Sequence, residues 1–375
     1  MKVAIVHEWL DTYAGSERVL EQMLAVFPQA DFFALCDFLP EAERGFLGGR
    51  QPRTTWIQRL PFARRRFRHY LGLMPLAIES LDLAGYDLVL SSSHAVAKGA
   101  ITAPGTVHIA YVHSPMRYAW DLQAQYLREA RLDRGLRGAY ARWLLHRLRL
   151  WDHASAARPD AILANSSYVA ERIRKTWRRE AEVLHPPVDT EAFAPGDEPR
   201  QHYLLVSRLV PYKRVDLVVA AFRRMPHRRL VVVGDGPQRA LVRSAAEGAL
   251  NIVFRGHVPR AELVRLMRTA RAFVFAAEED FGIALVEAQA CGTPLIAFGR
   301  GGACDIVRTP DTGGEPSGLL FSEQSAEAII DAVDRFEREA GQFSPEACRA
   351  NAERFSIARF REGLRAAVSR HTGHV

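Results

Sequence analysis

Residues 272–302 have the sequence AFVFAAEEDFGIALVEAQACGTPLIAFGRGG, and this segment indicates the fold class. The apolar run 272–277 is short and rich in Val and Phe, which predicts a strand buried on both faces of a sheet. Gly282 allows the backbone to turn sharply, and the helix after it is expected to end at Gly292-Thr293-Pro294. Because a second buried strand, Leu295–Phe298, comes next, the segment predicts a strand–helix–strand unit of a parallel α/β sheet.

A helix placed in this way begins at the carboxyl edge of the sheet. Its first amides, near Ile283 and Ala284, carry partial positive charge and can bind a phosphate without a metal. Glu287, in the helix, is placed to accept hydrogen bonds from two ribose hydroxyls, and Glu279, on the loop, from the hydroxyls of a hexose. These residues indicate a nucleotide-sugar site. The alternative is that Glu279 is a solvated loop acid and Glu287 an acid favoured by the helix dipole.

Two cations are predicted at a neighbouring position of the same sheet edge. In YLLVSRLVPYKR, residues 203–214, a strand ends near Ser207 and Arg208, and a short loop leads to Lys213 at the start of the next helix. Arg208 and Lys213 would neutralise a diphosphate bound there. The alternative is an ordinary surface Arg and Lys on a loop.

Strands and helices alternate along the chain, which is typical of doubly wound parallel sheets. The Pro-rich segment HPPVDTEAFAPGDEPR, residues 185–200, interrupts this periodicity and indicates a linker. We therefore predict a Rossmann-like domain over residues 1–185, a linker over 186–200, a second Rossmann-like domain over 201–355 and a final helix within 356–375. Strands are expected at residues 2–7, 31–35, 88–91, Val107–Val112, Ala161–Ala164, 203–209, 229–234 and 251–255.

Length and composition agree with a two-domain globular protein. The chain has 375 residues, of which 48% are apolar and 25% charged, and this length exceeds one ordinary core. No apolar run reaches the about 18 residues of a membrane span, and MKVAIVHEWL lacks the features of a signal peptide. We therefore expect a cytoplasmic location. The four cysteines are scattered without a CxxC pair, so neither a disulfide framework nor a zinc site is indicated.

The pattern Glu279, Phe281-Gly282, Glu287-Ala288, Gly292-Thr293-Pro294 and Gly301-Gly302 resembles the C-terminal signature of glycosyltransferase family 4. The resemblance implies the GT-B fold, an α/β architecture in which two Rossmann-like doubly wound parallel-sheet domains face a central cleft. It also implies that the C-terminal helix crosses back to the first domain. The family's enzymes retain the configuration of the anomeric carbon.

The resemblance assigns roles to further positions. Arg208 and Lys213 match the family's phosphate-binding Arg and Lys, and Glu279 and His113, the latter in YVHSPMRYAWD, match its active-site residues. Gly15 matches one glycine of the loop that approaches the donor phosphates, although Ala14 replaces the other. The remaining donor-site match is Val258, on the loop that meets the base, and the predicted cleft or acceptor residues are Asn165, Ser166, Arg172 and Arg117.

The expected chemistry follows from the charge of the leaving group. A diphosphate develops negative charge as the anomeric bond breaks, and Arg208, Lys213 and the helix amides would stabilise it. No Asp-x-Asp triplet occurs in the sequence, so we expect metal-independent transfer with no cofactor. Resemblance to the family implies front-face attack assisted by the leaving phosphate, with Glu279 orienting the sugar.

The donor and acceptor are less closely defined. The segment HSPMRYAWD, residues 113–121, looks most like bacterial enzymes that extend lipid-linked polysaccharide units, many of which use GDP-mannose. We therefore expect mannose transfer from GDP-mannose to a polysaccharide or lipid-linked saccharide. UDP-glucose or a UDP-N-acetylhexosamine remains the alternative donor.

The net charge of +7 is concentrated in arginine clusters. Residues 64–68 and 128–149 both have the pattern of a basic amphipathic helix. Such a helix could lie on the anionic inner face of the cytoplasmic membrane. A solvated arginine face is equally compatible with the pattern, and nucleic acid is disfavoured because no binding module is recognised.

Two other classes of protein are compatible with parts of the sequence. The arginine clusters are also compatible with a non-catalytic protein that binds a membrane or nucleic acid. A dinucleotide-dependent oxidoreductase is disfavoured because Gly15 lacks GxGxxG spacing.

Overall fold

The computed structural model describes residues 1–373, without the side chain of Thr312. The chain divides into two compact units, one formed by residues 1–187 together with the chain from Phe360 onward, and one formed by Val188–Arg359. The first contains a parallel sheet of seven strands and the second a parallel sheet of six. This architecture confirms the predicted class of two doubly wound parallel α/β domains.

The strands of the first unit are largely buried on both faces, as expected for a parallel sheet covered by helices. They are β1 (Val3–Leu10), β2 (Asp31–Asp37), β3 (Arg53–Thr54), β4 (Leu88–Ser93), β5 (Val107–Val112), β6 (Ala161–Ala164) and β7 (Glu182–Val183). Their spatial order is β3-β2-β1-β4-β5-β6-β7. The order reverses between β1 and β4, and we call the carboxyl ends of these two strands the first switch point, where ligands of such sheets bind.

Six helices follow the strands of the first unit. They are α1 (Gly15–Val26), α2 (Ala63–Arg66), α3 (Met74–Glu79), α4 (Gln123–Glu129), α5 (Gly135–Ser155) and α6 (Ser167–Trp177). Ser166 caps α6, because its hydroxyl accepts a hydrogen bond from the Val169 amide at 3.1 Å.

The second unit repeats the same architecture. Its strands are β8 (His202–Val206), β9 (Leu230–Val233), β10 (Ile252–Gly256), β11 (Ala270–Phe275), β12 (Leu295–Phe298) and β13 (Gly318–Phe321), in the order β10-β9-β8-β11-β12-β13. Its helices are α7 (Val215–Arg223), α8 (Arg239–Ala245), α9 (Arg260–Arg268), α10 (Ile283–Ala290), α11 (Ala303–Ile306), α12 (Ala326–Glu339) and α13 (Pro345–Ala352). The order reverses between β8 and β11, whose carboxyl ends form the second switch point.

The Pro-rich segment 188–200 packs on the second unit. Val188 and Phe193 are buried in its core, and the Val188 amide donates to the Phe355 carbonyl at 2.9 Å. The boundary between the units therefore lies at residues 187 and 188, inside the segment that the sequence predicts as a linker.

The last helix, α14 (Ile357–Thr372), contains the second boundary between the units. Its residues Phe360, Leu364, Ala367 and Val368 are buried in a core cluster of the first unit. Arg361 also donates from Nε to the Gln22 side chain on α1, at 2.8 Å. The end of the chain thus completes the core of the domain in which the chain begins.

The two arginine clusters do not form the single amphipathic helices that the sequence predicts. In the first, Phe62 has a left-handed φ of 57°, and α2 has only four residues because Phe67 begins a separate 3-10 segment. In the second, Arg131 has a φ of 54°, which separates α4 from α5. Within residues 1–373, no helix is both long enough and apolar enough to cross a membrane.

Candidate functional site

The second switch point brings together two predicted site residues. Lys213 follows β8 on a short 3-10 turn, Pro211–Lys213, and Glu279 follows β11, the adjacent strand across the reversal. Lys213 Nζ and Glu279 Oε1 form an ion pair, and their side chains are 15% and 18% exposed. A cation and an anion from opposite halves of the sheet are thus paired at the position where parallel sheets bind ligands.

The N-terminus of α10 lies beside this ion pair. Gly282 precedes the helix with a φ of 102° and, as a glycine, has no side chain that could cap the first amides. A Cβ built on Gly282 would lie 3.9 Å from Glu279 Oε2, so the carboxylate is held between the Lys213 ammonium and the helix N-terminus. The half-buried start of this eight-residue helix, at Ile283 and Ala284, therefore has the positive potential of an anion site.

Gly301 and Gly302 fix the backbone that carries Glu279. The Gly302 amide donates to the Glu279 carbonyl at 2.8 Å, and Gly301 has a φ of 73°. A side chain at Gly301 would collide with that carbonyl, and one at Gly302 would collide with the backbone of Phe281. The glycine pair is therefore required for the close approach of these two loops.

The loop that carries Arg208 is held against the glycine-rich turn after β9. The Leu209 amide donates to the Asp235 carbonyl at 3.0 Å, and a side chain at Gly234 would collide with the Ser207 carbonyl. The Arg208 side chain is exposed at this edge. The structure thus places Arg208 and Lys213 on one loop after β8.

Two further predicted donor residues are buried. Glu287 is 5% exposed on α10, one turn beyond the helix start, so the alternative of an acid in the first turn does not hold. Val258 is 8% exposed and packs in the core of the second unit. Its side chain is therefore directed to the core, and only the backbone of its loop is at the sheet edge.

In the first unit, His113 directly follows β5. Its amide donates to the Ser93 carbonyl at 2.8 Å, and its ring Nε2 lies 2.9 Å from Ser92 Oγ. Burial, with the nearby His94 and His7, lowers the pKa of His113 to about 3. The imidazole is therefore neutral near pH 7 and can exchange hydrogen bonds with a hydroxyl.

His108, the structural alternative to His113, is a core residue. It is fully buried in β5, with its Nε2 2.8 Å from Ser91 Oγ, and burial lowers its pKa to about 4. Its position inside the strand leaves His113 as the β5 histidine at the sheet edge.

The structure adds His94 and Glu8, which the sequence did not indicate. His94 follows β4 at the first switch point, with its ring centroid 6.3 Å from that of His113 and 4.6 Å from that of Trp9. The fully buried Glu8 of β1 accepts with Oε1 from the amides of His94, Ala95 and Ala97 at 3.1, 2.7 and 2.9 Å.

Glu8 therefore holds the loop that carries His94. Burial opposes ionisation of Glu8, but His94 and the backbone donors lower its pKa. Within the described residues, Glu8 Oε2 is a buried oxygen with no hydrogen-bond partner. The sequence feature that could have pointed to His94 is SSSH, residues 91–94, at the end of a predicted strand.

Gly15 begins α1, on the loop after β1. Glu17, two residues later, accepts with Oε2 from the Ala14 amide at 2.9 Å and with Oε1 lies 3.3 Å from His7 Nε2. Burial would raise the pKa of Glu17, but these contacts lower it to about 2. The loop before α1 is thus tied to β1 at the first switch point.

The predicted cleft residues support the loop after β5. Asn165 Nδ2 donates to the His113 carbonyl at 2.9 Å, and Arg172 pairs with Asp121 at 2.9 Å and with Ser114 Oγ at 3.1 Å. Arg117 lies within that loop, half-buried, whereas Ser166 caps α6. Asn165 and Arg172 therefore hold the segment that begins at His113.

No group of three or more His, Cys, Asp or Glu side chains that could hold a metal ion occurs within residues 1–373. The first switch point offers hydrogen-bonding groups, and the second offers the Lys213–Glu279 pair and a helix N-terminus.

Family models match nearly the whole chain. The model described as Glycosyltransferase Family 4 matches residues 14–192, and that described as Glycosyl transferases group 1 matches residues 190–355. Each half of the chain therefore matches a glycosyltransferase family model.

Curated relatives match part of this chain. A D-inositol 3-phosphate glycosyltransferase of Mycobacterium sp. (strain KMS) is 32% identical over 41% of this chain and 40% of its own length. The D-inositol 3-phosphate glycosyltransferase of Frankia alni is 36% identical over 42% of this chain and 44% of its own length. The match thus spans less than half the length of these relatives.

Solved structures match over nearly the full length. Anabaena HepE in complex with UDP-glucose has a TM-score of 0.69 at 16% identity, covering 98% of this chain and 99% of that one. Sucrose-phosphate synthase from Thermosynechococcus elongatus has a TM-score of 0.70 at 17% identity, covering 99% of each. These likenesses support the GT-B fold predicted from the sequence.

Proposed function

We propose that the protein is a glycosyltransferase that moves a hexose from a nucleoside diphosphate sugar to a saccharide acceptor. The observation that carries this proposal is the Lys213–Glu279 pair beside the N-terminus of α10. A cation and the amides of a helix N-terminus suit a diphosphate, and a carboxylate next to them suits the hydroxyls of the sugar attached to it.

The proposed roles divide between binding the leaving group and orienting the sugar. Lys213, Arg208 and the amides near Ile283 stabilise the charge on the departing diphosphate. Glu279 exchanges its contact with Lys213 for hydrogen bonds to sugar hydroxyls. Neutral His113 exchanges a hydrogen bond with a hydroxyl near the reacting carbon, and Glu287 binds the ribose.

The proposed reaction retains the anomeric configuration. The bond from the anomeric carbon to the phosphate oxygen breaks, and a bond to an acceptor hydroxyl oxygen forms on the same face. The proton of the acceptor hydroxyl passes to the leaving phosphate oxygen, so the products are the glycoside and the nucleoside diphosphate. We propose that this transfer needs no metal ion, since Lys213 and the helix amides supply the positive charge.

Two donors have specific support. Residues 113–121 favour GDP-mannose by resemblance to lipid-linked polysaccharide mannosyltransferases. A UDP-sugar is favoured by the structurally similar HepE, which was solved with UDP-glucose. We propose a polysaccharide or lipid-linked saccharide as the acceptor and the cytoplasm as the location.

A melting-temperature screen tests the site and the donor together. The protein is heated with UDP, GDP, ADP, NAD and the corresponding nucleotide sugars, with and without EDTA. A ligand at a hundred times its dissociation constant adds about 2.7 kcal/mol of stability, so GDP or UDP should raise the melting temperature, and EDTA should not abolish this shift.

The matched variants are Lys213→Ala and Lys175→Ala, the second at an exposed lysine of the first unit. We expect Lys213→Ala to lose the nucleotide-dependent shift and Lys175→Ala to keep it. Protection by NAD alone would instead support an oxidoreductase.

A further inference from the structure

Helix α5 presents a row of large apolar side chains to water. Leu136, Tyr140, Trp143 and Leu150 are 91%, 62%, 57% and 53% exposed. Their spacing of four, three and seven residues places them on one face of the helix. The helix is anchored by other residues, among them Leu145 and Leu148, which are buried in the core of the first unit.

The chemistry of this row differs from that of an ordinary solvated helix face. The rings of Tyr140 and Trp143 stack with centroids 5.9 Å apart. A contiguous exposed apolar surface marks an interaction site, and Tyr and Trp are the aromatic residues enriched where one end of a side chain is apolar and the other wet, as at a membrane surface.

Within α5 itself, the exposed charges have one sign. The sequence of α5 contains four arginines and a single acid, Asp152, which is fully buried and paired with Lys98 at 2.8 Å. Arg137 and Arg147 are exposed and flank the row. The exposed surface of α5 therefore carries positive charge, and the helix itself has no exposed carboxylate to neutralise it.

The first arginine cluster adjoins α5. A Cβ built on Gly72 would lie 2.9 Å from Leu144 of α5, so the segment that follows α2 packs directly against this helix. Phe62, directly before α2, and Leu76, on α3, are 76% and 61% exposed. Three consecutive arginines at 64–66 are also exposed.

We propose that the exposed face of α5, with the adjoining segment 62–76, docks on an anionic lipid bilayer. An interfacial helix is expected to combine bulky apolar and aromatic residues with an arginine-rich rim, which attracts anionic head groups. A two-fold dimer through this face would bring like charges of the two copies together. Binding of a nucleic acid to this face would place the apolar side chains of Leu136 and Leu150 against phosphate groups or water, where they gain no apolar contact.

Co-sedimentation with vesicles tests the proposal. We expect the protein to bind vesicles of phosphatidylcholine with 30% phosphatidylglycerol, roughly an order of magnitude more weakly with phosphatidylcholine alone, and more weakly again in high salt because charge is screened. Substituting Tyr140→Ser with Trp143→Ser should reduce binding at least tenfold, as should Arg137→Gln with Arg147→Gln.

The matched controls lie on the second unit, where Leu241 and Leu250 are 60% and 100% exposed. Leu241→Ser with Leu250→Ser should leave vesicle binding unchanged, as should Arg223→Gln with Arg229→Gln. Unchanged melting temperatures show that the α5 variants are folded. Vesicle binding equal to that of the wild type in both α5 variants would overturn the proposal. So would light scattering that shows a dimer abolished by Trp143→Ser without any vesicle binding.

Discussion

Lys213 contacts a carboxylate where the proposed function requires it to contact a phosphate. The pair with Glu279 is therefore a competitor of the donor diphosphate. Binding must exchange one charge-assisted contact of Lys213 for another, while Glu279 becomes available to the sugar.

Substitution of the two partners should separate these roles. A hydrogen bond to a charged group contributes about 1.5–3 kcal/mol, so Lys213→Ala should weaken nucleoside diphosphate binding by roughly one to two orders of magnitude. Glu279→Gln should bind the same nucleotide at least as tightly as the wild type, because Lys213 is released, but should lose most of the transfer activity. Calorimetry and a transfer assay measure the two effects. Equal losses of nucleotide affinity in both variants would contradict this exchange.

Glu8 gives a second prediction for a single side chain. Its buried carboxylate accepts three backbone amides of the loop that carries His94. Glu8→Gln replaces the charged acceptor of these hydrogen bonds with a neutral amide, which weakens them. We therefore expect a lower melting temperature and at least a tenfold loss of transfer. Nucleotide affinity should change less than transfer, because Lys213, Arg208 and the amides near Ile283 lie in the second unit. Glu182→Gln, at an exposed salt bridge of the first unit, is the control and should retain transfer.

At the scale of elements, the contact between the loops after β11 and β12 depends on two glycines. Gly301→Ala introduces both a strained left-handed backbone, about 1–2 kcal/mol, and a collision with the Glu279 carbonyl. We expect a loss of stability beyond the strain alone and a loss of transfer. Gly313→Ala is the matched control, since Gly313 has a similar φ of 74° but no atom within 4 Å of an added Cβ. Equal urea midpoints and activities for the two variants would show that the loop contact is unimportant.

Elements bounded by local signals were predictable from the sequence. Gly282 and Gly292 enclose α10, and its predicted start agrees with the structure. Strand β11 begins at Ala270, two residues before the predicted start, because Arg271 is neutralised within the strand by Glu337 of α12 at 2.5 Å. That partner is 66 residues away, and no local pattern reveals it.

The same distinction applies to the site. Lys213 and Glu279 follow predicted strands with recognisable spacing, whereas Glu8 and His94 are linked by contacts across more than 80 residues. The arginine segment 64–68 does not continue as one helix, because Arg66 has a φ of −135° and Phe67, which is buried in the core of the first unit, begins a 3-10 segment. Tertiary packing there overrides the periodic pattern.

At the scale of the whole molecule, buried histidines should make stability depend on pH. Burial lowers the pKa of His108 and His202 to about 4 and that of His113 to about 3. In the unfolded chain the pKa of these histidines is about 6.5. At pH values between the folded and the unfolded pKa, the unfolded chain therefore binds more protons than the folded chain. The free energy of unfolding is therefore highest above pH 6.5 and should fall by up to about 1.4 kcal/mol per pH unit per histidine below it.

Urea unfolding at pH 7.5, 6.0 and 5.0 measures this slope. His108→Gln should reduce the pH dependence, while His227→Gln, at an exposed position, should not. The pKa of Glu17, lowered to about 2, adds a further loss of stability as the pH falls below about 4.5. A stability that is flat from pH 7.5 to 5.0 would contradict the assigned histidine environments.

The position of α14 has a consequence for synthesis of the protein. Phe360 and Leu364 complete a core that otherwise consists of residues from the first half of the chain, and they are translated after the whole of the second unit. The second unit, Val188–Arg359, is fully emerged before the first has all its apolar contacts. The domain that is translated first is thus the one that finishes folding last, and a fragment cut at residue 187 would expose an unfilled hydrophobic groove.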